Sequence, residues 1–246
     1  MDSGLAAAAP RNDETRMIPD RKAFVRANTR LKPVPHVPEI SLYVADESVP
    51  IWLKTEEELD AIGLPPPYWA FAWAGGQALA RYVLDNPDTV AGKRVLDLAA
   101  GSGLVAIAAA KAGAAPVIAA DIDAFTEAAV AFNAEANDVY IEIIVQDLLD
   151  RPAQSASRYD VILVGDLFYE RDTAARALAF LDRHAALGTR VLVGDPGRTY
   201  LPKERLARLA DYSVPVTREL EDLDVKRTTV WELTDARRVT QSLVRS

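Results

Sequence analysis

The chain has 246 residues, 50% of them hydrophobic, which supports one sizeable α/β core with at most a small appendage. It contains no cysteine and only two histidines, so disulfides, thiolate ligands and a histidine-rich site are excluded, and we expect no metal. The net charge of −8 disfavours bulk nucleic-acid binding and suits a basic protein partner, and no apolar run reaches the roughly 18 residues of a membrane span.

The N-terminal region is the least regular part of the sequence. Residues 1–16 are small and polar without apolar periodicity, which predicts a disordered tail in a cytoplasmic protein. Basic and apolar side chains over residues 17–33 predict a short amphipathic helix that ends at Pro33. Prolines then enforce an extended path before a strand at residues 40–44. We expect residues 17–67 to form an extension on the substrate side.

Strands and helices alternate regularly after a helix predicted at residues 78–84. Short apolar runs predict strands at 94–98, 116–121, 140–145, 159–164 and 190–194. Helical spacing predicts helices at 104–112, 124–137, 173–186 and 203–210. This alternation is typical of a mostly parallel sheet with helices on both faces.

The C-terminal part departs from the alternation. Residues 212–219 and 225–233 are two strand-like runs joined by an acidic turn, with no helix between them. If they pair they are antiparallel, because a parallel return needs a longer crossover. We therefore expect a doubly wound, Rossmann-like, seven-stranded α/β sheet that ends in an antiparallel hairpin, as in class I methyltransferases. Residues 68–236 would form this domain, and 237–246 a flexible tail.

A glycine loop follows the first strand of the alternating region. Residues 97–103 read Asp-Leu-Ala-Ala-Gly-Ser-Gly, and Gly101 and Gly103 fit the G-x-G-x-x-G/A pattern that precedes a helix. The pattern alone is weak, because any cofactor that needs close backbone approach would use it. A dinucleotide would place its pyrophosphate here, whereas S-adenosylmethionine would place its methionine moiety here.

Three carboxylates at consecutive strand ends discriminate between these cofactors. Asp97 would repel a pyrophosphate but accept a hydrogen bond from an amino group. Asp121 suits ribose hydroxyls with either cofactor, and Asp147 would accept from the adenine amino group. Asp123 is interpreted as the cap of the next helix. Together these residues favour S-adenosylmethionine, with S-adenosylhomocysteine as product, over a dinucleotide.

Four stretches carry a family resemblance, namely residues 67–79, 121–123, 165–169 and 194–198. With them the sequence resembles the seven-β-strand lysine methyltransferases, and most of all the electron transfer flavoprotein β-subunit lysine methyltransferase family, over roughly residues 24–233. It departs at Ala99, where related enzymes often carry Gly. The resemblance implies N-methylation of accessible lysines in a protein substrate, the electron transfer flavoprotein β subunit.

The substrate side is assigned to residues that follow the fourth strand. Asp166 is expected to orient the lysine amine, with Phe168 or Tyr169 walling its channel; the alternative is a turn cap at Asp166 and a core position for Phe168. Trp69 and Trp73 lie four residues apart, and we favour Trp73 as the cofactor contact, although both could be core.

Other functions remain open at the level of the sequence. A monomeric protein-lysine methyltransferase is the leading hypothesis. The alternatives are a methyltransferase for another protein, such as a ribosomal protein, or for a small molecule; an NAD(P)-dependent oxidoreductase; and a non-catalytic binding module. The intact set of Asp97, Gly101, Gly103 and Asp121 argues against the binding module.

Overall fold

The computed structural model describes residues 20–45, 65–152, 159–216 and 224–234. The tails predicted at 1–16 and 237–246 lie outside these ranges. Within them, no helix is long and apolar enough to cross a membrane.

The N-terminal part forms a helix followed by a hairpin. Helix α1 (Arg21–Ala27) leads into strands β1 (Arg30–Val34) and β2 (Val37–Val44), which pair antiparallel. The sequence-based helix was therefore wrong beyond Ala27, because residues 30–34 gain backbone partners from β2 instead. Buried side chains of the hairpin, among them Ile40 and Leu42, join the main apolar core.

The central sheet has seven strands. Their bounds are β3 Val95–Leu98, β4 Val117–Asp121, β5 Glu142–Val145, β6 Val161–Gly165, β7 Arg190–Asp195, β8 Leu206–Pro215 and β9 Val225–Leu233. The spatial order is β5-β4-β3-β6-β7-β9-β8. Pairs from β5 to β7 are parallel, whereas β9 pairs antiparallel with both β7 and β8. The predicted fold class, including its antiparallel C-terminal hairpin, is confirmed.

Helices cover both faces of the sheet. They are α2 Ala74–Asp85, α3 Leu104–Lys111, α4 Ala124–Ala136 and α5 Arg171–Ala185. Helices α2, α3 and α4 share one apolar cluster with Val95 and Leu163, whereas α5 shares the other cluster with Leu96 and Ile162. Neighbouring residues of one strand thus face opposite layers, so the strands are buried on both sides.

The helix predicted at residues 203–210 was wrong. A single 3₁₀ turn at Lys203–Arg205 leads directly into β8, which pairs with β9 along its length. Residues 203–210 are good helix formers as an isolated segment. Pairing with β9 supplies their backbone partners, so tertiary context overrides local propensity.

Four glycines allow α2 to approach the sheet with almost no side chain between them. A Cβ added to Gly75 would overlap the carbonyl oxygen of Gly194 in β7, and one added to Gly194 would overlap the carbonyl oxygen of Gly75. A Cβ on Gly165 of β6 would come within 3.0 Å of the Gly76 Cα. This close packing brings the first turn of α2 to the carboxyl ends of β6 and β7.

Candidate active site

The glycine loop leaves the carboxyl end of β3 and turns directly into α3. Gly101 and Gly103 have φ angles of 51° and 76°, a left-handed conformation that residues without a Cβ adopt at little cost. A Cβ on Gly103 would come within 3.0 Å of Val130 in α4. Ala99 has a φ of 57°, a left-handed conformation that costs a residue with a Cβ about 1 kcal/mol of backbone strain.

Asp97 lies beneath this loop and is only 2% exposed. Its Oδ2 accepts a hydrogen bond from the Ala106 N–H in the first turn of α3, at 2.9 Å. Burial raises the pKa of Asp97 to about 8, and the nearby charge of Asp121 adds to the shift. A positively charged ligand would favour the ionised carboxylate, whereas a pyrophosphate would oppose it.

Asp121 links the end of β4 to the glycine loop. Its Oδ2 accepts from the Gly101 N–H at 2.8 Å, and its Oδ1 accepts from the Asp123 N–H at 2.9 Å. Burial raises the pKa of Asp121 as well. Asp123 caps α4 by accepting from the Phe125 N–H at 2.8 Å, which confirms its predicted capping role.

Asp147 follows β5 at the same edge of the sheet but is exposed. Its Oδ1 accepts from the Leu149 N–H at 3.0 Å, and its Oδ2 pairs with Arg176 of α5 at 2.8 Å. The adenine contact assigned to Asp147 from the sequence stays a prediction.

Asp166 is held at the end of β6 by hydrogen bonds to its carboxylate from Gly76 and Arg198. Its Oδ2 accepts from the Gly76 N–H at 3.0 Å, and its Oδ1 accepts from Arg198 Nε and Nη2 at 3.1 and 2.7 Å. Its φ of 53° lies in the left-handed region. Arg198 is placed by Asp195, whose Oδ1 accepts the backbone N–H groups of Gly197 and Arg198 at 2.6 and 2.7 Å.

The two aromatic residues after Asp166 have different environments. Tyr169 is 46% exposed, and its ring lies 5.5 Å from that of Tyr68. Burial, together with the neighbouring Tyr68, raises the pKa of Tyr169 to about 12, so its hydroxyl keeps its proton at neutral pH. Phe168 is 1% exposed and belongs to the apolar cluster beneath α5. Assigning Phe168 to the channel wall was therefore wrong, and Tyr169 is the residue of the pair at the surface.

The two tryptophans are also separated by the structure. Trp69 is 2% exposed and stacks on Phe125, with ring centroids 5.8 Å apart, so it is a core residue. Trp73 donates from Nε1 to the Tyr68 carbonyl at 3.0 Å, and the Arg198 guanidinium lies 5.9 Å from its ring. These contacts place Trp73 on the Asp166 side of the edge, and its cofactor contact stays a prediction.

An open depression of about 270 Å³ adjoins this group of residues. Its lining residues come from the ends of β6 and β7 and from β9, and they are Tyr169, Pro196, Gly197, Arg198, Thr199 and Lys226. No group of three acidic or histidine side chains suited to a metal occurs in the described ranges.

The predictions from the sequence gave no role to Tyr68 or to the Gly76 N–H. The turn at residues 195–198 was expected to line the same rim, but not to be held by the Asp195 carboxylate. The signal for Asp195 was present, since Asp-Pro-Gly predicts a turn in which the carboxylate accepts nearby backbone N–H groups. Both Tyr68 and Gly76 lie in the stretch 67–79 that carries the family resemblance, but the contact of the Gly76 N–H depends on the tertiary approach of α2 to β6.

The chain is similar in sequence to a protein-family model and to several named proteins. A model described as ribosomal protein L11 methyltransferase (PrmA) matches residues 77–167. The electron transfer flavoprotein β subunit lysine methyltransferase of Rattus norvegicus is 36% identical over 218 residues, 86% of this chain and 83% of that protein. The same-named Homo sapiens protein is 36% identical over 220 residues, 87% of this chain and 82% of that protein.

Among solved structures, the ribosomal protein L11 methylase of Lactobacillus delbrueckii subsp. bulgaricus is similar with a TM-score of 0.49 and 22% identity. That similarity covers 67% of this chain and 80% of the other. The sheet with its antiparallel end and the glycine loop define a class I methyltransferase. On the identity and coverage of its relatives, the chain belongs to the electron transfer flavoprotein β-subunit lysine methyltransferase family.

Proposed function

We propose that this protein transfers methyl groups from S-adenosylmethionine to lysine side chains, with the electron transfer flavoprotein β subunit as its substrate. The proposal rests on one observation, which is that the glycine loop and Asp166 lie next to each other at the carboxyl ends of the parallel strands. The glycine loop follows β3, Asp166 follows β6, and these strands are hydrogen-bonded parallel neighbours. A cofactor on the loop therefore lies beside the residues assigned to the amine.

The donor and acceptor chemistry of the loop fits S-adenosylmethionine. Asp97 is buried and Asp121 is partly buried, burial raises the pKa of both carboxyls, and a cationic ligand with hydrogen-bond donors would favour their ionised forms. Asp97 would hold the amino group, Asp121 the ribose hydroxyls, and the backbone at Gly101 and Gly103 would permit close approach. When bound, the cofactor supplies a methyl group on a sulfonium sulfur.

The lysine side of the edge is formed by charged and aromatic groups. Asp166 would accept an N–H of the incoming amine and orient its lone pair, while Arg198 and the Gly76 N–H keep the carboxylate in place. Tyr68 and Tyr169 offer ring faces to the lysine side chain. Desolvation and the Arg198 charge would lower the pKa of the lysine from about 10.4, whereas the Asp166 carboxylate would raise it, so loss of the proton depends on the first two effects. Its proton passes to water.

The test is intact-mass analysis of purified flavoprotein β subunit after incubation with enzyme and S-adenosylmethionine. We expect mass increments of whole methyl groups, and peptide mapping locates them on lysine. Asp166→Asn serves as the enzyme control. An unmodified β subunit would overturn the assignment of this substrate.

A second candidate is methylation of a ribosomal protein, favoured by the match of residues 77–167 to the L11 methyltransferase model. Adding purified ribosomal protein L11 to the same assay separates the two substrates. Calorimetric titration with S-adenosylmethionine and with NADH separates a methyltransferase from an oxidoreductase. Binding of NADH alone would contradict the proposal as a whole.

Three further expectations accompany this function. We infer that the protein acts as a monomer and without nucleic acid, and that the described part of the N-terminal extension, residues 20–45 and 65–67, lies on the substrate side. Its strand β2 contacts Asn133 of α4, which in turn contacts the glycine loop, and this supports the last point. Gel filtration with and without substrate protein tests the oligomeric state.

A further inference from the structure

Asn133 of α4 and Asn137, which caps the C-terminal end of α4, hold the free edge of the N-terminal hairpin. Asn137 accepts from the Ser41 N–H at 3.1 Å and donates from Nδ2 to the Ser41 carbonyl at 2.6 Å. Asn133 accepts from the Tyr43 N–H at 2.7 Å. Their side chains are 7% and 0% exposed, respectively. The two amide groups therefore replace a neighbouring strand along the edge of β2.

The Nδ2 groups of Asn133 and Asn137 also donate to different carbonyl groups. Asn133 donates from Nδ2 to the carbonyl oxygen of Ser102 in the glycine loop, at 2.8 Å. Asn137 instead donates to the Asn133 carbonyl at 2.7 Å, within α4. The amide group of Asn133 thus joins the hairpin to the loop, whereas the amide group of Asn137, at the C-cap of α4, joins the hairpin to the helix.

Asn133 contacts the glycine loop at a residue flanked by two glycines, whose backbone conformation is not fixed by residue type alone. Ser102 lies between Gly101 and Gly103, whose φ angles of 51° and 76° lie where glycine has its greatest conformational freedom. Hydrogen bonds that fix carbonyl groups in such a segment select one of its conformations. The Asn133 contact is buried, so losing its donor leaves the Ser102 carbonyl without that partner in a site of low polarity.

We propose that Asn133 is a positioning residue that fixes the glycine loop for cofactor binding and couples the loop to the N-terminal hairpin. The inference rests on the proposed function for the identity of the ligand, S-adenosylmethionine. It assigns to Asn133 an effect on cofactor affinity that Asn137, although buried against the same hairpin, does not have.

The test compares Asn133→Asp with Asn137→Asp. Asn133→Asp keeps an oxygen for the Tyr43 N–H and, when ionised, places a second oxygen against the Ser102 carbonyl. Measurements at two pH values separate this form from the protonated acid, which would donate to that carbonyl. Asn137→Asp makes the same chemical change one turn away, with no contact to the loop. Calorimetry with S-adenosylmethionine is expected to give about tenfold weaker binding for Asn133→Asp and less than about twofold for Asn137→Asp. Thermal unfolding of both variants measures their loss of stability.

The charge of the cofactor sharpens this comparison. S-adenosylmethionine carries a net positive charge, so a new carboxylate would attract it. Weaker binding by the variant would therefore come from a changed loop conformation and not from electrostatic repulsion. Hydrogen exchange of the loop amides in the unliganded proteins is the second readout, with faster exchange expected for Asn133→Asp alone. If that variant does not fold, Asn133→Ala and Asn137→Ala take the same two measurements.

Equal cofactor affinities for the paired variants, or equal loop exchange, would overturn the role of Asn133. A wild-type protein that does not bind S-adenosylmethionine would overturn the proposed function instead. Loop exchange would then still decide whether Asn133 fixes the loop, since that measurement requires no ligand.

Discussion

Arg198 donates two hydrogen bonds to a single oxygen of Asp166, from Nε at 3.1 Å and from Nη2 at 2.7 Å. The other Asp166 oxygen accepts from the Gly76 N–H. The carboxylate is thus fixed from two directions before any substrate arrives, which reduces the reorganisation needed to orient an amine.

The first prediction concerns the charge of Asp166. Asn tolerates the left-handed φ of 53° at this position and keeps an oxygen for Gly76, so Asp166→Asn should fold normally. Because the amine loses its charged acceptor, we expect kcat to fall by about a hundredfold with little change in cofactor affinity. Single-turnover assays and calorimetry measure the two quantities. Poor cofactor binding with normal turnover at saturation would mean that Asp166 belongs to the cofactor site.

The second prediction concerns the ring of Tyr169. Since the pKa of its hydroxyl is raised to about 12, the hydroxyl does not act as a base at neutral pH. Tyr169→Phe should therefore leave kcat and its pH profile almost unchanged. Tyr169→Ala removes the ring face and should raise KM for the protein substrate by about fivefold. A large loss of kcat in Tyr169→Phe would assign chemistry to the hydroxyl.

The third prediction separates two neighbouring carboxylates. Asp121→Ala removes an acceptor from Gly101 and from the expected ribose contact, so cofactor binding should weaken by at least about tenfold. Asp123→Ala removes the cap of α4 and should cost about 1 kcal/mol of stability. Its cofactor affinity should change little. Calorimetry and chemical denaturation of both variants check the pair, and indistinguishable affinities would contradict the role of Asp121.

The fourth prediction is a pH dependence of stability. The folded pKa of Asp97 is raised from 3.8 to about 8, so the folded chain retains a proton that the unfolded chain releases. The stability that depends on neutral Asp97 is present below the unfolded pKa and is lost as pH rises through the folded pKa. Relative to Asp97→Asn, wild-type unfolding free energy should fall by about 1.4 kcal/mol per pH unit within this window.

Urea denaturation of the unliganded proteins between about pH 5 and about pH 7 measures this slope. Asp97→Asn is the matched control because it stays neutral and keeps an acceptor for the Ala106 N–H. The raised pKa of Asp123 contributes alike to both proteins and cancels in the difference, whereas Asp121, whose charge acts on Asp97, leaves a smaller coupled contribution. Parallel stability curves would show that Asp97 is ionised in the folded state.

The fifth prediction contrasts adjacent glycines of α2. A Cβ on Gly75 would overlap the Gly194 carbonyl, whereas a Cβ on Gly76 would make only ordinary contact with Val105 at 3.8 Å. Gly75→Ala should destabilise the fold by at least about 2 kcal/mol through overpacking. Gly76→Ala should be neutral or stabilising by up to about 1 kcal/mol, from helix propensity. Thermal unfolding of the two variants measures the contrast, and similar melting temperatures would contradict the close approach.

The sequence allowed the central fold to be predicted because its strands are short apolar runs bounded by polar residues and glycine. Val225–Leu233 was predicted with the bounds that β9 has. Residues 206–210 were not, because their partner in β9 lies far along the chain and local propensity favours a helix. The predicted parallel topology also placed Asp97 and Asp121 correctly towards the carboxyl ends of neighbouring strands.

The finer site was less predictable, because it depends on pairs that are distant in sequence. Asp166 and Arg198 are separated by 32 positions, and their contact requires the turn that Asp195 stabilises. The burial of Phe168 follows from the direction in which the chain leaves β6 towards α5. Neither property has a periodic signal, so residue type alone could not distinguish Phe168 from Tyr169.

Strand β9 follows β8 in the chain but lies between β7 and β8 in the sheet. During synthesis, β7 has a parallel neighbour on one side and an open hydrogen-bonding edge on the other until residues 225–233 leave the ribosome. Nascent chains that stall before this point would expose the buried strand β7 to pairing with other chains. Pairing of β9 therefore closes the edge of β7 that would otherwise be open to other chains.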